Sequence, residues 1–316
     1  MDTKKLKITV SPHVFSAIDT KYMMKGVIKA LLPAVAASLY FFRLQAAGII
    51  LASVAGTVCT ELVLQLARKK QVRIGDYSAV VSGLLLAMVL PPSLPLWMCF
   101  LGGVVAIGLS KDIFGGLGSN IFNPALLARA FLMAAFPVAL TTWVNPRGVD
   151  AVTTATPLAL SKFEHIITSY PALFFGRVGG SLGETSALAL LVGLAYLLYK
   201  KIIEYRIPVA FIGTVAIFAG VMKLLDPAGA APPLFHVLAG GLLLGAIFMA
   251  TDPVTSPVTK KGRWIFGIGC GLIAMIIRVW GGLPEGVMYS ILLMNAVTPL
   301  INRVTRSKRF GEKNVK

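Results

Sequence analysis

Three stretches of this chain carry residue types at spacings suited to chemistry. The first is Asp150-Ala151-Val152-Thr153-Thr154-Ala155-Thr156-Pro157, near the start of the longest polar interruption in the sequence, residues 141–184. Read alone, a threonine-rich segment ahead of a proline is a surface turn. The second closes the same interruption as Gly179-Gly180-Ser181-Leu182-Gly183-Glu184-Thr185-Ser186. Glycines let backbone N–H groups approach a ligand, and a helix N-terminus favours anions. The string therefore reads either as a phosphate cradle or as a glycine turn into the next helix. No lysine follows it as a P-loop requires, which argues against nucleotide hydrolysis. The third stretch is Gly115-Gly116-Leu117-Gly118-Ser119-Asn120-Ile121-Phe122-Asn123-Pro124. Asn120 and Asn123 have amides able to bond a ligand edge or line an ion path, or to cap the helix that Pro124 opens.

Isolated charges add to these. Lys29, Glu61 and Arg129 lie inside apolar runs, where a charge is costly and so becomes a functional candidate. Glu61 is expected to pair with Lys29 or Arg129, and Lys29 can also snorkel. Asp252, in Thr251-Asp252-Pro253-Val254-Thr255-Ser256-Pro257, either faces a cavity or forms an Asp-Pro turn. Glu61, Arg129 and Asp252 together make a candidate ion path. His13, His165 and His236 lack partners at metal-ligand spacing. Cys59, Cys99 and Cys270 sit in apolar runs without Cys-x-x-Cys spacing, so they read as buried structural thiols and no metal site is expected.

The elements that must position these residues follow from composition. A chain of 316 residues that is 56% hydrophobic and 14% charged, with mean hydropathy +0.80, has more apolar surface than a soluble core can hide. In lipid the backbone must satisfy its own hydrogen bonds, and long apolar runs rather than alternation favour helices over a closed barrel. Ten runs stand out, at 26–42, 45–66, 79–92, 94–110, 121–140, 185–199, 207–224, 236–250, 264–279 and 287–302. The expected fold is thus an all-α integral membrane protein of about ten transmembrane helices. The runs at 79–92 and 236–250 are short and end at Pro or Asp-Pro, a pattern of broken helices around a central site. The lysines before the first run are not followed by a small-residue cleavage site, so that run reads as an uncleaved span.

The formal charge of +17 would suggest nucleic acid in a soluble protein, but here it is topological. With the N-terminus inside, 22 of the 30 Lys and Arg fall in cytoplasmic segments, so both termini are assigned to the cytoplasm and the Thr156 loop to the opposite face. No nucleic-acid partner is expected; the lipid membrane is. The two halves also resemble each other. Ser82-Gly83-Leu84-Leu85-Leu86 recurs as Gly240-Gly241-Leu242-Leu243-Leu244, and Phe114-Gly115-Gly116-Leu117-Gly118 as Trp280-Gly281-Gly282-Leu283-Pro284. Five spans per half is an odd number, which inverts the second repeat. The organisation expected is residues 1–140 as an N-terminal segment and first five-helix repeat, 141–184 as an outer loop, and 185–316 as the second repeat with a basic tail.

The segment ending at Thr156 resembles the Asp-Gly-x-Ser/Thr-x-Ala-Thr acceptor of flavin transferases, with Ala151 in place of the usual Gly. That resemblance implies FMN joined through its phosphate to Thr156, with Asp150, Thr153 and Ala155 as recognition positions. Ser11-Pro12-His13, the Gly-Gly-Leu-Gly to Asn-Pro stretch, the Gly-Glu-Thr-Ser stretch and Met249-Ala250-Thr251-Asp252-Pro253 extend the likeness almost end to end. Together they resemble the D subunit of the Rnf electron-transport complex, a relative of the B subunit of Na+-translocating NADH:quinone reductase. The resemblance implies a phosphoester-linked flavoprotein of the bacterial or archaeal cytoplasmic (inner) membrane. It would be one subunit, not catalytic alone, of an enzyme linking ferredoxin and NAD chemistry to Na+ or H+ translocation. The implied partners are the other Rnf subunits, above all the flavinylated G subunit, and a flavin transferase for maturation. A second, noncovalent flavin, riboflavin, is implied in the membrane domain, with Asn120 and Asn123 suited to an isoalloxazine edge and Gly183, Glu184 and Thr185 to the covalent flavin. Two other classes fit the residues without the resemblance: an inverted-repeat solute channel of the urea-channel type, and a membrane anchor for a soluble flavoenzyme.

Overall fold

The computed structural model describes residues 19–69, 72, 74–144, 155–227 and 229–306. Every regular element among them is helical. The first helix, α1 (Thr20–Ala67), is capped by the Asp19 carboxylate, which accepts from the Tyr22 N–H at 2.7 Å. Unbroken, its 48 residues would run roughly 72 Å, more than twice the ~30 Å hydrocarbon thickness. Arg43 divides it, with φ 50° and ψ −125°, at the gap between the first two apolar runs. Then follow α2 (Ser78–Val89), α3 (Leu96–Ile107), α4 (Pro124–Ala135) and the short α5 (Pro137–Thr141). Residues 141–184 hold two short helices, α6 (Pro157–Phe163) and α7 (Tyr170–Phe175). The second half contains α8 (Ala187–Tyr199), α9 (Arg206–Leu225), α10 (Pro233–Leu238), α11 (Leu242–Leu244), α12 (Lys260–Trp280) and α13 (Val287–Val304).

All ten apolar runs fall on helix, but not on ten long helices. α1, α9, α12 and α13 are long and apolar enough to cross a bilayer, while α2, α4 and α8 are shorter apolar helices. The run at 236–250 is broken, as its length suggests, into α10, α11 and a π-helical turn at Gly245–Met249. A second π-helical turn, Gly108–Asp112, continues α3. Such turns widen the helix locally and recur at functional sites.

The bundle packs through small residues where helices cross closely. A Cβ added at Gly103 of α3 would lie 2.7 Å from the Thr57 backbone nitrogen and 2.8 Å from the Gly56 carbonyl carbon of α1, so only glycine permits this crossing. The outer surface is apolar: Leu44 is 87% exposed, Leu224 82% and Ile217 71%. In a membrane-spanning chain such side chains face lipid. Lys29 is exposed on this surface, as snorkelling requires. Cys99 and Cys270 are buried as expected, but Cys59 is exposed, because it lies on the outward side of α1.

Candidate functional site

The structure gathers six of the sequence candidates into two cavities served by α4, with Asn120, Asn123 and Asp252 in one and Arg129, Thr156 and Glu184 in the other. Asn123, preceding α4, lines one; Arg129, about 9 Å of helix rise further on, lines the other.

The second cavity contains Thr156 together with Arg129, Glu184, Glu285, Trp143 and Tyr289. Thr156 caps α6, its Oγ1 accepting from the Ala159 N–H at 3.3 Å. The cap uses an oxygen lone pair, and the hydroxyl hydrogen has no acceptor among the described residues. Esterification of that oxygen would therefore leave the cap intact. Opposite, Arg129 is held by two carboxylates, Nη2 at 3.1 Å from Glu285 Oε2 and Nη1 at 3.7 Å from Glu184 Oε1. Glu285 Oε1 also accepts from the Gly241 N–H at 2.9 Å. This cluster joins α4, the turn before α8, the break before α11 and the turn before α13, so it ties the two halves together. Its bonding is incomplete: Arg129 Nε and Glu184 Oε1 are buried without a hydrogen-bond partner. Orphaned polar atoms of this kind mark a place for a ligand or ordered water. An attachable hydroxyl, aromatic side chains and orphaned polar atoms in one cavity fit a phosphate-linked flavin.

Not every candidate joins this site. Leu182 N–H donates to Leu90 O at 3.1 Å and Gly183 N–H to Met88 O at 2.7 Å, closing the C-terminal end of α2. The Thr185 hydroxyl donates to Leu182 O. The glycine string is thus a turn packed against α2 rather than a cradle: a Gly183 Cβ would lie 2.8 Å from the Met88 Cβ. Only Glu184, with Gly179, reaches the Thr156 cavity. Ala155 is exposed beside Thr156. Asp150 and Thr153 lie outside the described residues, as does Ser11-Pro12-His13.

The first cavity is lined by Asn120, Asn123 and Asp252, and also by Lys111, Ser78 and Phe248. Asn123 both caps and bridges. Its Oδ1 accepts from Ala125 N–H and Leu126 N–H, while its Nδ2 donates to Met249 O at 3.3 Å. Asn295 Oδ1 accepts from the Asn123 N–H, extending the bridge to α13. Asn120 Oδ1 is buried and unpartnered. Asp252 forms the expected turn, accepting from Val254 N–H and the Thr255 hydroxyl, and lines the cavity as well. It has no cation within salt-bridge distance among the described residues.

The expected pairing of Glu61 is corrected. Its partner is neither Lys29 nor Arg129 but Lys111, whose Nζ is 2.7 Å from Glu61 Oε1 and 2.7 Å from Ser78 Oγ. Lys111 counted as a cytoplasmic loop residue by sequence, yet it is 3% exposed. The π-helical turn carries it inward, and a buried ammonium needs a carboxylate. Neighbouring Asp112 pairs with Arg68 at 2.9 Å. Glu285, Lys111, Trp143 and Tyr289 were missed as site residues. For Glu285 a signal existed, since it directly follows the repeated Trp280 to Pro284 string.

Residues 7–311 match the model of the NQR2, RnfD, RnfE family. The chain belongs to this family. Among curated members it is 48% identical to the D subunit of the Na(+)-translocating ferredoxin:NAD(+) oxidoreductase complex of Acetobacterium woodii, over 100% of this chain and 98% of that protein. It is 45% identical to the D subunit of the proton-translocating ferredoxin:NAD(+) oxidoreductase complex of Clostridium ljungdahlii, over 96% of each. The D subunit of the ion-translocating oxidoreductase complex of Stutzerimonas stutzeri is 41% identical over 94% of this chain and 93% of its own length. The family's end-to-end match leaves the channel and anchor classes without support.

Proposed function

We propose that this family member is the D subunit of an ion-translocating ferredoxin:NAD oxidoreductase complex, relaying electrons through FMN esterified to Thr156. The observation that carries this reading is the meeting of Thr156 with the under-bonded Arg129 cluster in one cavity. When bound, the flavin supplies the electron-carrier chemistry. Thr156 Oγ1 holds it through the phosphate and remains the cap of α6. The Arg129 guanidinium, held in place by Glu184 and Glu285, keeps its unpartnered Nε–H as a donor for the flavin. Trp143 and Tyr289 offer apolar faces that exclude water. In the first cavity, apolar walls with the free Asn120 Oδ1 suit the noncovalent riboflavin, whose ring N–H would donate to that oxygen.

The same reading places the chain in a cytoplasmic membrane with both termini inside and the Thr156 loop outside. Its two halves, 1–140 and 185–316, are inverted five-segment repeats flanking the 141–184 loop. The recurrent strings support this. One falls on α2 and on the α10–α11 break, the third segment of each half, and the other precedes α4 and α13, the fifth. The partners are the remaining Rnf subunits, including the flavinylated G subunit, and a flavin transferase. Of the candidate ion-path carboxylates and cations, Glu61 and Arg129 are neutralised by partners, which leaves Asp252 to take up the cation. The relatives' names divide between Na+ and protons at nearly equal identity, so overall similarity does not select the ion.

The test is in-gel fluorescence after denaturing electrophoresis, with the chain coexpressed with a flavin transferase. A fluorescent native band that vanishes in Thr156→Ala is expected. Fluorescence retained in the variant moves the attachment elsewhere, and none in either, with an active transferase control, removes the flavin from the account.

A further inference from the structure

The α9–α12 face carries a second kind of site, unrelated to the flavin reading. A groove between these helices is lined by Thr214, Ile217, Phe218, Val221, Met222 and Leu272, and its accessible lining is almost wholly apolar. Met222 also lines a neighbouring pocket at the groove's end. There the character changes: Lys162, Arg278, His165, His236 and Ser161 face the space, with Asp226 as the one carboxylate.

The pocket is built rather than incidental. Arg278 is 4% exposed, and its Nη1 and Nη2 donate to His236 O at 2.6 Å and Ala239 O at 3.2 Å. Lys162 Nζ donates to Gly281 O at the end of α12. Both cations are therefore fixed in place. Arg278 Nε and His236 Nδ1 remain buried without a partner. Trp280, two residues past Arg278, is 65% exposed and stacks edge-on against Phe218. A tryptophan so placed belongs at the headgroup level of a bilayer.

We infer that this composite site holds one anionic phospholipid, its phosphate in the Arg278 pocket and one acyl chain in the α9–α12 groove. Two fixed cations against one carboxylate favour a singly negative headgroup over a zwitterion. A phosphodiester has only acceptor oxygens, matching the free Arg278 Nε–H and the His236 imidazole in the tautomer with its proton on Nδ1. The continuous apolar groove distinguishes a lipid from a free anion.

The site is tested by thermal unfolding of the full chain in detergent micelles containing phosphatidylglycerol, phosphatidylcholine or inorganic phosphate. Val221→Trp fills the groove at a half-exposed position, and Ser161→Asp adds a repelling charge to the pocket. Phosphatidylglycerol is expected to raise the melting temperature of the native chain beyond phosphatidylcholine. Each variant should weaken that effect by about tenfold or more in lipid concentration, while melting like the native chain in phosphatidylcholine. No response to phosphatidylglycerol, equal stabilisation by phosphatidylcholine, or a response unchanged in both variants would overturn the proposal. So would stabilisation by inorganic phosphate that Val221→Trp retains, since the occupant would then be a free anion.

Discussion

Thr156, Arg129 and Glu61 show what single residues reveal before a fold is known. The Thr156 motif and the cost of placing Arg129 and Glu61 among apolar residues were legible in sequence. Their partners were not, because Lys111 and Glu285 reach them across 50 and 156 residues of chain. The Lys111–Glu61 pair gives a direct prediction. Glu61→Gln leaves a buried ammonium with a neutral partner and should destabilise by about 3–5 kcal/mol, whereas Glu61→Gln with Lys111→Met should recover much of that loss. Thermal unfolding of the two variants checks this, and a double variant no better than the single one contradicts the pairing. For Thr156→Ala the loss is confined to a helix cap, about 0.5–2 kcal/mol, so the variant should insert and purify normally.

At the scale of elements, the ten apolar runs all fall on helix, but hydropathy showed neither how each is interrupted nor the short helices α6 and α7. The division of α1 at Arg43 followed from the gap between the first two apolar runs. By contrast, hydropathy does not distinguish the π-helical turns at Gly108–Asp112 and Gly245–Met249 from ordinary helix, and the run that ends within the first left Lys111 assigned to a loop. The glycine string before α8 kept both readings open because its outcome depends on Met88 and Leu90, distant in sequence. Two substitutions test the elements. Gly103→Val forces the α1–α3 crossing apart and should cost about 1–3 kcal/mol or prevent accumulation; native stability in unfolding assays would contradict the close packing. Asn123→Ala removes the α4 cap and the bond to Met249 O. A loss of about 1–3 kcal/mol is expected, with thermal unfolding as the readout.

For the whole molecule, the lopsided basic residues and repeated strings support the proposed topology, with cytoplasmic termini and an outer Thr156 loop, which labelling can check. In a cysteine-free background, Glu164→Cys should react with a membrane-impermeant maleimide on intact cells, and Arg306→Cys only after permeabilisation; the reverse pattern would invert the chain. Sequence made the membrane class and the family legible, the first from composition and the second from local motifs. It did not show the two cavities at either end of α4, which exist only once the halves are packed. The central claim is that electrons pass through a flavin on Thr156, and the measurement that tests it most directly is ferredoxin:NAD electron transfer by the assembled complex. With Thr156→Ala, the complex should assemble with normal stoichiometry yet lose this activity along with the covalent flavin. Undiminished electron transfer by a complex shown to lack that flavin would contradict the account.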